Sequence, residues 1–143
     1  GVLTVDFPPE ESHEAFAYLQ AHGIDPIFLI APTTNEARIE LVAKLARGYV
    51  YYVSLKGVTG AGNLDLSAIA QKIPELRKHI SIPIGVGFGI RDAATAHAVS
   101  AMCDGVVVGS RIVQEIENSS EQQLLENVAR LVTELRTAID KSV

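Results

Sequence analysis

A repeated alternation constrains this chain more than any other feature. Unbroken apolar, β-branched runs occur at residues 2–5, 26–30, 48–53, 83–86 and 105–108. They are continuous rather than alternating, as expected of strands buried on both faces of a parallel sheet. Helical patterns lie between them. Residues 10–22 place Ala15, Phe16 and Leu19 on one side and end at Gly23, a C′ glycine. Residues 35–46 carry Ile39, Val42, Ala43 and Leu45. Residues 65–80 carry Leu66, Ile69, Ile73 and Leu76, and Pro74 is expected to kink or interrupt them. A short alanine-rich helix is predicted over 91–101. Residues 121–139 form the most amphipathic segment, with Leu124, Leu125, Val128, Leu131, Val132 and Leu135 on one stripe.

Five strands joined by helices through short connections give an α/β fold with a parallel sheet. At 143 residues the chain is expected to be one domain, 1–143. Spacing leaves two architectures open, a doubly wound sheet and part of a (β/α)8 TIM barrel.

Composition removes several partners. Net charge is −5 with no basic block, so neither nucleic acid nor an anionic membrane is expected. No apolar run approaches the roughly 20 residues that span a bilayer, and no signal peptide is visible. The single cysteine, Cys103, excludes an intrachain disulfide and fits a reducing, cytoplasmic setting. The chain opens directly in a strand pattern without an initiator methionine, as a processed chain or a piece of a longer one would.

Glycine separates the two architectures. Three successive strand ends are glycine-rich: Lys56-Gly57-Val58-Thr59-Gly60-Ala61-Gly62, Gly85-Val86-Gly87-Phe88-Gly89, and Gly109-Ser110 opening a short helix to about Asn118. Glycine lets backbone N–H groups approach a ligand, and a helix N-terminus adds donors and partial positive charge. One such turn is commonly structural. Three at adjacent strand ends point to an anion cradle. Barrels place phosphate after their last two strands, beside an extra short helix, which is the order here. A dinucleotide fold places G-x-G-x-x-G after its first strand, where this chain has Asp6-Phe7-Pro8-Pro9-Glu10. The barrel is the better reading.

The stretches VDFPPEES, PIFLIAPT, RGYVYYVSLKGVTGAG, PIGVGFGI and GVVVGSRIV resemble, in order and spacing, the tryptophan synthase alpha chain. The resemblance covers essentially the whole chain but only the fourth to eighth strands of that family's barrel, hence five βα units of a partial barrel. It implies a lyase of tryptophan biosynthesis that cleaves indole-3-glycerol phosphate into indole and glyceraldehyde 3-phosphate. It also implies a beta chain as partner in an alpha–beta heterotetramer; pyridoxal phosphate belongs to that partner, and no cofactor or metal is expected in this chain. Gly60, Gly89, Gly109 and Ser110 fall on the phosphate-binding positions. Tyr51 falls beside the catalytic acid as an assisting group, and Phe88 falls against the ligand. Thr59 matches the loop threonine that orients the second carboxylate, within a mobile lid. Pro8 falls where the family meets its beta chain. Leu55 departs from members that carry arginine there.

The family's catalytic glutamate and aspartate belong to strand regions before Gly1, so no residue here matches them, and this chain alone is expected to be inactive. With two open edges and an apolar concave face, it is expected either to be part of a longer polypeptide or to self-associate. The alternatives are a non-catalytic phosphate-binding half barrel, or another phosphate-binding barrel of the indole-glycerol-phosphate synthase or ribulose-phosphate epimerase kind.

Other polar residues carry blander expectations. Asp6, at a strand end, reads as a loop anchor rather than an acid or base. His13, His22, His79 and His97 show no metal-like grouping, and His22 and His79 suit helix C-termini. Glu10, Glu11 and Ser12 mark a helix start. Arg91 and Arg111 are expected to point outward, Lys56 to be a solvated loop charge, Cys103 to be partly buried, and Asp104 to lie at the end of the sheet opposite the ligand.

Overall fold

The computed structural model describes residues 1–5, 7–11, 13–54, 64–87 and 89–141. Strands β1 (Val2–Leu3), β2 (Pro26–Ile30), β3 (Val50–Val53), β4 (Ile84–Gly87) and β5 (Gly105–Val107) form one parallel sheet in sequential order. Between them run α1 (His13–Ala21), α2 (Glu36–Leu45), α3 (Leu66–Arg77) and α4 (Ala93–Ser100), followed by α5 (Ser110–Glu117) and α6 (Leu124–Asp140). Strand order that simply counts upward, with crossovers of the usual hand, places every helix on one face of the sheet. That winding makes a segment of a barrel and not a doubly wound sheet.

The core lies between sheet and helices. Phe28, Ile30, Val50, Tyr52, Ile84 and Val86 meet Ile39, Val42, Ile69, Ile73, Leu76, Ala96 and Val99 there. The other face carries Leu29, Tyr51, Val53 and Val107, all half-buried. The expectation of strands sealed on both faces therefore holds along β4 and at Ile27, and elsewhere only on the face that the helices cover.

Boundaries follow from local chemistry. At the end of α1, the Gly23 N–H donates to Gln20 O (3.0 Å) and the Ile24 N–H to Leu19 O (2.9 Å). With Gly23 at φ +68 this is a Schellman cap. Asn35, Asp65 and Asp92 cap α2, α3 and α4, their side chains accepting from Arg38, Ala68 and Thr95 N–H. A 3₁₀ turn at Pro9–Glu11 precedes α1, so the α-helix starts later than its sequence pattern. The first strand stops at Leu3, because an edge strand has a neighbour on one side only, and Val5 is exposed.

Two expectations need correction. Pro74 does not interrupt α3, which continues through it. The missing N–H would have bonded Ala70, and both residues are exposed, so water can satisfy that carbonyl. The stripe on α6 is only partly used. Leu131 and Leu135 are buried against the core, whereas Leu125 is 84% exposed and Val132 is also exposed. Helix α6 packs on α4 and α5, and the His97 Nδ1 lies 3.0 Å from Ala138 O across the α4–α6 contact. Among the described residues, no helix is long and apolar enough to cross a membrane.

The amino-terminal end of the sheet is held by one polar knot. Asp104, just before β5, accepts from Ile84 N–H (2.7 Å) and pairs with Arg77, whose other nitrogen donates to Ile82 O (3.2 Å). Its place at the end opposite the glycine turns matches the expectation for Asp104.

Candidate functional site

The carboxyl ends of β3, β4 and β5 converge on one region. Register sets Tyr51 beside Gly85 and Val53 beside Gly87, with Gly87 beside Val107. The side chains of Tyr49 and Tyr51 lean across β4, where glycine leaves room. A Cβ on Gly85 would lie 3.3 Å from two ring carbons of Tyr49, and one on Gly87 would run into the phenol of Tyr51. Burial pushes the Tyr51 phenol above its ordinary pKa, with Tyr49 adding to the shift. Tyr51 is therefore a neutral phenol at physiological pH, placed to donate or accept. Tyr52 faces the helices and takes no part in the site.

Ser54, the last described residue before position 64, is buried. Its Oγ donates to Gly87 O at 2.8 Å, and its N–H donates to the same carbonyl at 3.1 Å. The root of the first glycine turn is thus tied to the root of the second. Neither Ser54 nor Gly87 stood out as a site residue in the sequence. The available signal was a lone serine ending a tyrosine-and-valine strand.

Gly89 has φ +78, a conformation that favours glycine, and a Cβ there would touch Leu64 at 3.4 Å. Gly109 differs. It precedes α5 with φ −113, has open space where a Cβ would lie, and gives α5 no side-chain cap. Helices α2 to α4 are closed by Asn or Asp side chains, whereas among the described residues α5 has no side-chain cap. Ser110 is exposed at the first turn of this helix. Arg111 turns away along α5 to Glu115 at 2.7 Å, as expected of an outward residue.

Gly89 and Gly109-Ser110 therefore follow the adjacent strands β4 and β5, while Tyr51, within β3, reaches the end of β4 only through its phenol at Gly87. Thr59, Gly60 and Phe88, together with Leu55, Lys56 and Asp6, lie outside the described residues.

Pro8 lies half-buried on the loop after β1, beside a cleft of about 410 Å³ lined by Phe7, Phe16, Leu29, Thr34 and Arg38 among others. Phe7, Phe16 and Phe28 stack edge to face, at centroid distances of 5.8 and 4.8 Å, and hold this loop on α1 and β2. Arg38 pairs with Glu10 at 2.8 Å, a surface contact that keeps the Glu10 carboxyl below its usual range.

Cys103 is half-buried, as expected, and burial pushes its thiol up. Of the histidines, the His22 Nδ1 lies 2.8 Å from Tyr18 O at the end of α1. His79 departs from the sequence reading, since the fold brings it to Glu36 and Glu40.

A parallel sheet wound in one sense, with helices on one face and glycine turns gathered at its carboxyl ends, defines a segment of the (β/α)8 barrel class. A model of the tryptophan synthase alpha chain family matches residues 1–140. The chain belongs to that family. It is 62% identical over 139 residues to the tryptophan synthase alpha chain of Chromobacterium violaceum, spanning 97% of this chain and 53% of that one. It is 61% identical over 140 residues to that of Nitrosomonas europaea, spanning 98% and 51%. The crystal structure of tryptophan synthase subunit alpha from Legionella pneumophila superposes with a TM-score of 0.83 at 32% identity, covering 97% of this chain and 51% of that one. The chain thus spans about half the length of the curated relatives it matches. The family match also displaces the two other phosphate-binding barrels that the glycine turns had left open.

Proposed function

We propose that this chain supplies the phosphate-holding side of a site that cleaves indole-3-glycerol phosphate to indole and glyceraldehyde 3-phosphate, a lyase step of tryptophan biosynthesis. One observation carries the reading: the Gly89 turn and the start of α5 at Gly109-Ser110 follow the neighbouring strands β4 and β5, and the Tyr51 phenol of β3 reaches Gly87 at the end of β4. Backbone N–H groups there would hold the substrate phosphate, each contact to a charged oxygen contributing about 1.5–3 kcal/mol.

The cleavage breaks the bond between the indole ring carbon and the glycerol chain. The ring carbon gains a proton while the neighbouring hydroxyl loses one and becomes the aldehyde, a task for two positioned carboxyl groups. The resemblance places those groups in the part of the barrel outside the matched stretch. Tyr51 assists them as a neutral phenol. Phe88 contacts the ligand, and Thr59 and Gly60 belong to a lid that closes over phosphate. Indole would then pass to a beta chain, which carries the pyridoxal phosphate and meets this chain near Pro8. The same reading sets the reaction in the cytoplasm.

The test is complementation. The chain is mixed with the amino-terminal part of the Chromobacterium violaceum alpha chain, and indole release from indole-3-glycerol phosphate is followed. Release from the mixture, and from neither part alone, is the expected result. Intact assembly without indole would overturn the reading and favour a non-catalytic phosphate-binding half barrel. Exposed Val113 and Ile116 on α5 and Leu125 and Val132 on α6 favour self-association of such a chain.

A further inference from the structure

Away from the glycine turns, two helices bring together three metal-ligating side chains that lie far apart in sequence. Glu36 and Glu40 stand one turn apart on α2, and His79 follows α3. The His79 Nε2 lies 3.4 Å from Glu36 Oε1, and its Nδ1 lies 3.9 Å from Glu40 Oε1. An ion takes only one imidazole nitrogen, and one donor atom from each residue, a single His79 nitrogen included, falls within 4.8 Å of the other two. Two ligands at about 2.0–2.2 Å from one tetrahedral ion are themselves about 3.3–3.6 Å apart, and the His79–Glu36 spacing already meets that. The imidazole is mostly enclosed, with 23% of its side chain exposed, whereas both glutamate side chains are exposed and free to adjust around it.

Among the described residues, no lysine or arginine forms an ion pair with Glu36 or Glu40. Among those residues, His79 is the sole ion-pair partner of both Glu36 and Glu40, while Arg38, between them in sequence, turns to Glu10. Like charges four residues apart on a helix repel, and a bound cation between them would relieve that repulsion.

We propose that Glu36, Glu40 and His79 form a site for a divalent transition metal of the zinc class, joining α2 to the segment after α3. One imidazole and two carboxylates suit zinc, cobalt or nickel, whereas magnesium and calcium prefer oxygen alone. Three protein ligands leave a fourth position for water. The ion clamps the outer helical layer and uses no residue of the strand-end site, so the inference stands apart from the proposed lyase step.

Titration calorimetry of the full chain with zinc, and separately with magnesium, tests it. One equivalent of zinc is expected to bind and raise the thermal midpoint in a saturable way, with no effect of magnesium. His79→Ala and the near-isosteric pair Glu36→Gln/Glu40→Gln should each weaken binding by about tenfold or more, with unchanged circular dichroism in the absence of metal. A His13→Ala variant should bind like the parent. Zinc binding equal in all variants would assign the metal to other surface groups and overturn the proposal, as would the absence of binding at millimolar zinc.

Discussion

The phenol of Tyr51 occupies the space that a side chain on Gly87 would need. A Cβ at position 87 would come within 2.9 Å of Tyr51 Cε2, and closer still to Cζ and the hydroxyl oxygen. Gly87→Ala should therefore push the ring off β4 and cost about 1–3 kcal/mol, the usual range for overpacking. Urea denaturation measures the loss. Trimming the ring in a Tyr51→Leu/Gly87→Ala double variant should recover part of it, because residues in contact couple. Strictly additive losses would show that the two do not meet.

The buried hydroxyl of Ser54 is a second link between the same strands. Ser54→Ala removes one of two donors to Gly87 O but leaves the backbone N–H in place. The expected cost is about 0.5–1.5 kcal/mol, read as a lower denaturation midpoint with unchanged slope.

Gly89 and Gly109 should respond differently to alanine. Gly89 sits at φ +78, so Gly89→Ala should lose about 1 kcal/mol or more of stability through backbone strain. Gly109 has ordinary φ and open space for a methyl, so Gly109→Ala should stay within about 0.5 kcal/mol of the parent. If phosphate binds at the start of α5, Gly109→Ala should nevertheless weaken binding of glycerol 3-phosphate. Calorimetry and thermal melting on the same samples separate the two effects.

Asp104 makes stability depend on pH. Burial raises its carboxyl pKa, but the Ile84 N–H and Arg77 more than offset this, leaving the folded value below the ordinary one. The contribution is present above the unfolded pKa of about 3.9 and disappears as pH falls through the lower folded value. Melting temperatures of the parent and Asp104→Asn should therefore differ at pH 7 and converge below about pH 4.

Cys103 should be slow to react. Burial raises its pKa, and its thiol hydrogen-bonds to the carbonyls of Val99 and Gly105. A disulfide reagent should label it slowly in buffer and quickly in denaturing urea, followed by absorbance.

Periodicity made the fold legible. Each unbroken β-branched run became a strand and each amphipathic run a helix, because those patterns record what a segment must bury. The Gly23 stop could be read as well, since capping is decided within one turn of chain, whereas the Asn35, Asp65 and Asp92 caps were seen in the structure. Three other features depend on packing between segments distant in sequence. Sequential strand order with all helices on one face decides that Tyr51 points away from the helices while Tyr52 is sealed beneath them. Leu125 and Leu131 look equivalent on a helical stripe, yet only Leu131 meets α4 and the core, so burial had to be read from neighbours. The His79 cluster belongs to the same class, since nothing in local spacing links position 79 to 36 and 40. The sequence alone determined where the chain extends, coils and turns, because those choices are local. Tertiary structure decided which side chains share a face, because that depends on how the sheet curls and what it leaves uncovered.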